Sequence, residues 1–275
     1  MNGTRLSVAE LGELLEYVRG LKGAARARVP GLERRADTVV AGLVTLHAAL
    51  SVLGAQEFTV SEGALREGML IEELTRLEAY SSSISARQRS VLGMAERFGA
   101  NLSHSRQVAA LARELLSRLR ALGAELGAEG EARSVLTAAG ALHEVGQIVA
   151  QSAHHKHSAY LIRHAELRGF TPREIELVAL LSRYHRKSAP KSSHPEFAAL
   201  SAADQALVTR WVGILRVADG LDRSHAGAAR VTGLTRRGEG WQLSVQGATP
   251  LDLEGAREKA DVWARAFGPL TLKAE

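Results

Sequence analysis

The 275-residue sequence contains no cysteine, which excludes disulfide scaffolds, thiolate metal sites and cysteine nucleophiles together. Aromatic residues make up only 4%, so the stacking platforms common in single-strand nucleic-acid binders lack their material. Six prolines in the whole chain leave long stretches in which nothing interrupts a helix. No apolar run approaches the roughly 20 residues a membrane span needs. The N-terminus has no apolar segment followed by a small-residue cleavage site. These absences, with a lack of thiols that suits a reducing compartment, read as a cytoplasmic protein.

What is present favours helix. Hydrophobic residues reach 45% and charged residues 24%, an ordinary globular balance with a net charge of +5. The charge is unevenly placed. Residues 151–195 hold eight basic side chains (Lys156, Arg163, Arg168, Arg173, Arg183, Arg186, Lys187, Lys191) against three acidic ones. Such a patch favours an anionic partner. Without interleaved aromatics or a nucleic-acid motif, DNA or RNA is not the expected one.

The chain reads as three blocks. Residues 1–75 alternate helix and strand: Ser7 and Glu10 form a capping-box pattern ahead of an apolar stripe at Val8, Leu11, Leu14, Leu15 and Val18. A second helix is expected over about 35–53, closed by Gly54, and QEFTVS alternates like a short strand. Gly63 and Gly68 punctuate the stretch after that strand. Residues 76–228 carry helical periodicity almost throughout, with Thr171-Pro172 marking one helix start. Residues 229–275 read strand, turn, strand, helix, strand; one continuous helix is expected to present Leu253, Ala256, Ala260, Trp263 and Phe267 on one face.

Metal-capable side chains recur singly through the helical block: His104, His143 with Glu144, a cluster at 154–157, His185 and Asp219. A bundle that gathers these helix faces would collect imidazoles and carboxylates in one cavity. Nitrogen and oxygen donors without sulfur suit Mn, Mg, Fe, Co or Zn. Two such ions can clamp a phosphoryl group and lower the pKa of a bridging water. Each residue also has an ordinary reading: His104 as a helix cap, His143 as a hydrogen-bonded core histidine, His185 as a complement to a helix dipole, Asp219 as a C-terminal acid. His154 and His157, three apart, are expected to share a face, with His155 pointing elsewhere. His47, His164, His194 and His225 are read as structural or exposed.

The ordered set resembles the HD-domain metal phosphohydrolases. ALHEVG (141–146), HHKHSAYLIRH (154–164), LLSRYHRK (180–187) and LRVADGLDRSH (215–225) are similar to the helical domain of bacterial exopolyphosphatases and guanosine-pentaphosphate phosphohydrolases. RLSVAELGELL, VPGLERRADTVVAG and TVSEGALREGML (59–70) are similar to the end of that family's second actin-like domain. The resemblance implies a mainly α fold: a partial actin-like α/β segment (1–75), an HD-like helical bundle (76–228) and a small α/β C-terminal element (229–275).

It also implies a metal-dependent phosphohydrolase acting on phosphoanhydrides or phosphoesters. His104, His143, Glu144, His157, His185 and Asp219 would hold divalent metal, with Glu144 and His185 also catalytic. His154, Lys156, Arg163, Arg183, Arg186, Lys187 and Arg216 would bind phosphate. Polyphosphate or a phosphorylated nucleotide is the implied ligand, and a homodimer the expected assembly. Two departures stand out. The family's first actin-like domain, which carries its phosphate loops, has no counterpart here, which fits a fragment, a split gene whose partner chain supplies that half-cleft, or a stand-alone descendant. Glu144 stands where active HD enzymes usually carry Asp, a methylene that moves the carboxylate by about 1.5 Å. The alternative is a non-catalytic module that binds polyphosphate or nucleotide and dimerises.

Overall fold

The computed structural model describes residues 3–61, 69 and 85–275. Gly63, Gly68 and most of the segment at 59–70 therefore lie outside the described residues. The chain divides into two compact units, Met1–Ser82 and Ser83–Glu275.

In the first unit, strand β1 (Arg5–Ser7) runs into helix α1 (Val8–Gly20). The capping box forms as expected: the Ser7 amide donates to Glu10 Oε2 at 2.7 Å and the Glu10 amide to Ser7 Oγ at 3.1 Å. Leu11, Leu15 and Val18 are buried, whereas Leu14 of the expected stripe stays exposed. A one-turn helix, α2 (Gly23–Arg26), was not legible in the periodicity. Helix α3 (Val39–Val52) begins later than expected and ends before Gly54, whose φ of +65° is the left-handed geometry that glycine permits. β2 (Glu57–Thr59) finds its partner in β1, antiparallel, with Leu6 opposite Phe58.

The second unit is a helical bundle with a small sheet. Its helices are α4 (Ala86–Arg97), α5 (Leu102–Ala121), α6 (Glu129–Leu142), α7 (His154–Arg163), α8 (Pro172–Tyr184), α9 (Pro195–Ala198) and α10 (Ala202–Gly220). A 3-10 turn (Val145–Ile148) joins α6 to α7. One apolar core unites them, with Leu115, Leu136, Ile162, Leu180 and Trp211 fully buried. Local chemistry sets the starts: Asn101 caps α5 through the His104 amide at 3.2 Å, and Thr171 with Pro172 opens α8. The sheet order is β3 (Arg230–Arg237), β4 (Gly240–Gln246), β5 (Leu270–Ala274), the first pair antiparallel and the second parallel.

The expected single C-terminal helix is broken into α11 (Pro250–Glu258) and α12 (Asp261–Phe267). The reason lies on α10, which offers two glycines seven residues apart. A Cβ on Gly220 would lie 2.6 Å from Ala256 Cα, and one on Gly213 would lie 3.0 Å from Trp263 Cα. Two separate close approaches seat Ala256 and Trp263, and the chain bends between them at Lys259–Ala260. The 229–275 element thus packs on α10 inside the same compact unit as the helices.

A part-buried ion pair staples the bundle. Arg87 of α4 donates to both Glu174 oxygens of α8, at 2.6 and 3.1 Å. Burial would raise the Glu174 carboxyl, but the Thr171 amide and the Arg87 guanidinium outweigh it and hold it below the usual 4.5. A depressed carboxyl contributes stability above its unfolded pKa and loses it as pH falls through the folded value. Glu174→Gln should therefore cost about 2 kcal/mol near neutrality. It should also flatten the loss of Tm below pH 4.5, followed by thermal melts across pH 3–7. A Tm deficit that stays constant down to pH 3 would contradict this.

A candidate metal centre

Four helix ends deliver imidazoles to one pocket. His143 follows α6, His185 follows α8, His154 opens α7 and His104 sits in the first turn of α5; all are buried. Asp219 arrives from the last turn of α10 and Glu144 from the residue after His143.

The first three rings are oriented by the same local device. The Nδ1–H of His143 donates to the Gly140 carbonyl (2.8 Å), that of His185 to Ser182 (2.7 Å) and that of His154 to Gln151 (3.1 Å). Each bond reaches back three residues. A carbonyl only accepts, so each Nδ1 carries a proton, and where the ring is neutral its Nε2 presents a lone pair. His104 is oriented by another route, its Nδ1 lying 2.8 Å from Asp222 Oδ2. Asp222 is itself held by the Gly227 amide at 2.8 Å.

The Nε2 atoms of His104 and His143 face carboxylate oxygen, while that of His154 lies 3.5 Å from Arg186 Nη1. His104 Nε2 lies 3.6 Å and His143 Nε2 3.7 Å from Asp219 Oδ1. His154 Nε2 is 3.3 Å from His185 Nε2. Glu144 spans two rings, with Oε2 4.0 Å from His104 Nε2 and Oε1 3.9 Å from His154 Nε2. His143 Nε2 is buried with no hydrogen-bond partner at all. Lone pairs facing carboxylate oxygens repel unless a cation or proton lies between them. Two overlapping triads, His104–His143–Glu144 and His143–His185–Asp219, bring their donor atoms within 4.8 Å of one another, a spacing that could hold a metal ion. Nitrogen and carboxylate donors fit a borderline or hard divalent ion.

Burial keeps His154, His155 and His185 neutral. Burial, then the neighbouring His143, pushes His185 well below its ordinary value. Burial likewise lowers His154, with the Arg186 guanidinium adding to it. His155 is pushed down to about 4 by burial and by Arg183 and Arg186. His104 behaves oppositely: burial would lower it, but Asp219 and Asp222 raise it. Burial would raise Asp219, but Lys259, His104 and His143 hold it well below the usual carboxylate range.

The structure departs from several sequence expectations. His157 is half-buried and belongs to neither triad, whereas His155, expected to point elsewhere, is buried with its ring 6.3 Å from that of His154 and 6.5 Å from that of His185. The three-residue spacing misled because α7 starts at His154 itself, so its first turn faces the pocket with two consecutive rings. Arg163 is engaged by Glu176 through two bonds of 2.7 and 2.8 Å and is spent on α8. Arg216 is buried and structural: it donates to the Tyr184 and Lys187 carbonyls and pairs with Asp261 at 2.9 Å. Arg186 does border the pocket, with Nη1 3.1 Å from His154 Nδ1. Arg183 is half-buried near His155, while Lys156 and Lys187 are exposed.

Three participants were missed. Asp222, three residues past Asp219, gave no signal apart from its place in ADGLD. His225, read as structural or exposed, is exposed yet stacks on His104 with ring centroids 4.0 Å apart. Lys259 contacts Asp219 Oδ2 directly from the far end of the chain. Only folding reveals that contact.

Residues 86–252 match the family described as Ppx/GppA phosphatase, domain III, and residues 1–77 match the Ppx/GppA phosphatase family. A guanosine-5'-triphosphate,3'-diphosphate pyrophosphatase of Photobacterium profundum is 35% identical over 184 residues, covering 67% of this chain and 35% of that protein. A protein of the same name from Pseudoalteromonas translucida is 31% identical over 74% of this chain and 40% of its own. One from Aliivibrio fischeri is 29% identical over 88% of this chain and 47% of its own. The chain thus spans less than half the length of these relatives.

Proposed function

This chain belongs to the Ppx/GppA phosphatase family, and from that premise we propose that its second unit is an HD-like phosphohydrolase centre acting on phosphoanhydrides or phosphoesters. The observation that carries the reading is the orphaned, buried Nε2 of His143, beside Asp219 Oδ1 and shared by two overlapping histidine–carboxylate triads. His104, His143, His185, Glu144 and Asp219 would hold a divalent metal ion, His157 standing apart from them. Such an ion, when bound, supplies Lewis acidity toward a phosphoryl oxygen and a more acidic water.

The chain's own residues would do the rest. Arg186, next to His154, would hold a non-bridging phosphoryl oxygen, and Arg183, Lys156 and Lys187 would extend positive charge along the rim toward a longer polyanion. Glu144, half-buried between His104 and His154, would accept the proton of the attacking water. Despite its extra methylene relative to Asp, its two oxygens still reach 4.0 and 3.9 Å from the Nε2 atoms of those rings. His185, kept neutral by burial, would present a lone pair rather than a charge. The buried walls exclude bulk water, which strengthens each of these interactions.

Phosphate release from pyrophosphate, tripolyphosphate and p-nitrophenyl phosphate tests the reading. Purified chain should release phosphate with added Mn²⁺ and stop with EDTA. Polyphosphate binding without any metal-dependent release would favour the non-catalytic module instead.

Asp222 provides a second test. It fixes the tautomer of His104, and an outer carboxylate of this kind typically contributes 10–100-fold to metal affinity. Asp222→Asn should weaken Mn²⁺ binding by about that factor in a calorimetric titration, while melting within a few degrees of wild type. Unchanged affinity would remove Asp222 from the site.

A further inference from the structure

We propose that Lys259 is a resident cation of the histidine pocket, taking one oxygen of Asp219 so that the pocket accepts a single divalent ion rather than a pair. The inference rests on the metal-centre reading above and adds a stoichiometry to it.

The two oxygens of Asp219 have different neighbours. Oδ1 faces His104 and His143, whereas Oδ2 is held by Lys259 Nζ in a direct ion pair. The lysine is not a loose surface side chain folded inward; its side chain is 26% exposed. Its backbone is also fixed. The Lys259 carbonyl accepts from Arg216 Nε at 3.4 Å, and the same guanidinium pairs with Asp261 two residues on. On the other side, Gly220 lets Ala256 approach so closely that a Cβ there would lie 2.6 Å from Ala256 Cα. The chain is therefore clamped before and after Lys259, and the ammonium reaches Asp219 from a built position.

The two triads share His143, so a pair of ions would need the carboxylates to divide or bridge between them. With Oδ2 engaged by Lys259, Asp219 loses the two-oxygen bridge between ions and offers them Oδ1 alone. A second dication would also sit within a few ångströms of a fixed ammonium inside a buried pocket, where like charges repel strongly. The charge count agrees. The pocket carboxylates are Glu144, Asp219 and Asp222. Their combined charge is offset by one divalent ion together with Lys259, and Arg186 beside His154 already adds positive charge, so a second ion would leave a clear excess. Lys259 is thus a positioning residue: it makes Asp219 a one-oxygen ligand and sets how many ions the pocket holds.

Manganese titration by calorimetry and by electron paramagnetic resonance, run on wild type, Lys259→Met, Lys259→Arg and His143→Ala, tests the proposal without reference to turnover. Wild type should bind one Mn²⁺ per chain. Lys259→Met should bind two, the first at least about tenfold more tightly, with the exchange-broadened signal of a coupled pair. Lys259→Arg, which keeps the charge, should return to one. Because α11 docks through Ala256, Lys259→Met should keep the wild-type far-ultraviolet spectrum; if it does not fold, two ions in Lys259→Arg or in wild type still overturn the proposal. One ion in Lys259→Met, at equal or weaker affinity, also overturns it. No Mn²⁺ in wild type or Lys259→Met, or no change in His143→Ala, overturns the metal-centre reading itself.

Discussion

Replacing His143 with alanine is expected to lower Mn²⁺-dependent phosphate release by at least a hundredfold, about 3 kcal/mol of lost transition-state stabilisation. His143 belongs to both triads, so its loss removes a ligand from either arrangement of ions. Its Nε2 has no other partner to leave behind. The fold should tolerate the change, because the ring's one hydrogen bond is local, from Nδ1 to the Gly140 carbonyl. Steady-state rates at saturating Mn²⁺, paired with a melt, check both halves. Activity within a few-fold of wild type would show that the pocket is not where the chemistry occurs.

The largest effect on stability is expected from Gly146→Ala. A Cβ at Gly146 would lie 2.3 Å from both the His154 carbonyl oxygen and the Ser158 amide nitrogen. Both are backbone atoms of α7, which cannot rotate away as a flexible side chain would. Ser158 Oγ reinforces this crossing, donating to the His143 carbonyl at 2.7 Å and accepting from the Gly146 amide at 2.9 Å. Overpacking typically costs 1–3 kcal/mol, and a backbone-to-backbone clash belongs at or above the top of that range. About 3 kcal/mol and a fall in Tm of several degrees are expected by thermal denaturation. Because α7 would be displaced, His154 should move with it, and Mn²⁺ affinity should fall although no ligand has been changed. A variant as stable as wild type would mean that α7 can be repositioned without cost.

How much of this was legible in the sequence depended on whether the signal was local. Ser7 with Glu10, and Thr171 with Pro172, announced their helices because a cap is written within four residues. The helical stripe of α5 was equally plain, since its buried positions repeat along one face. The histidine set was legible as an order of residue types, and His104, His143, Glu144, His185 and Asp219 do meet. Side-chain direction was not. His155 is buried where His157 is only half-buried, because the exact first residue of α7 decides which rings face inward, and periodicity alone does not fix a boundary to one residue. Arg163 and Arg216 were read as phosphate-binding because their charge is visible in the sequence while Glu176 and Asp261, which pair with them, are identified only by packing. The break between α11 and α12 was hidden for the same reason. It arises from Gly213 and Gly220 on a different helix, not from anything near Lys259.

The three backward hydrogen bonds from His143, His154 and His185 have a consequence for how the pocket fills and empties. Each ring is already aimed by the peptide three residues before it, so its rotamer is settled when the polypeptide folds. Nothing need rearrange when an ion enters, and nothing need unravel when a chelator withdraws it. Stripped and loaded protein should therefore give superimposable circular dichroism, the opposite of a zinc finger, whose architecture dissolves with its ion.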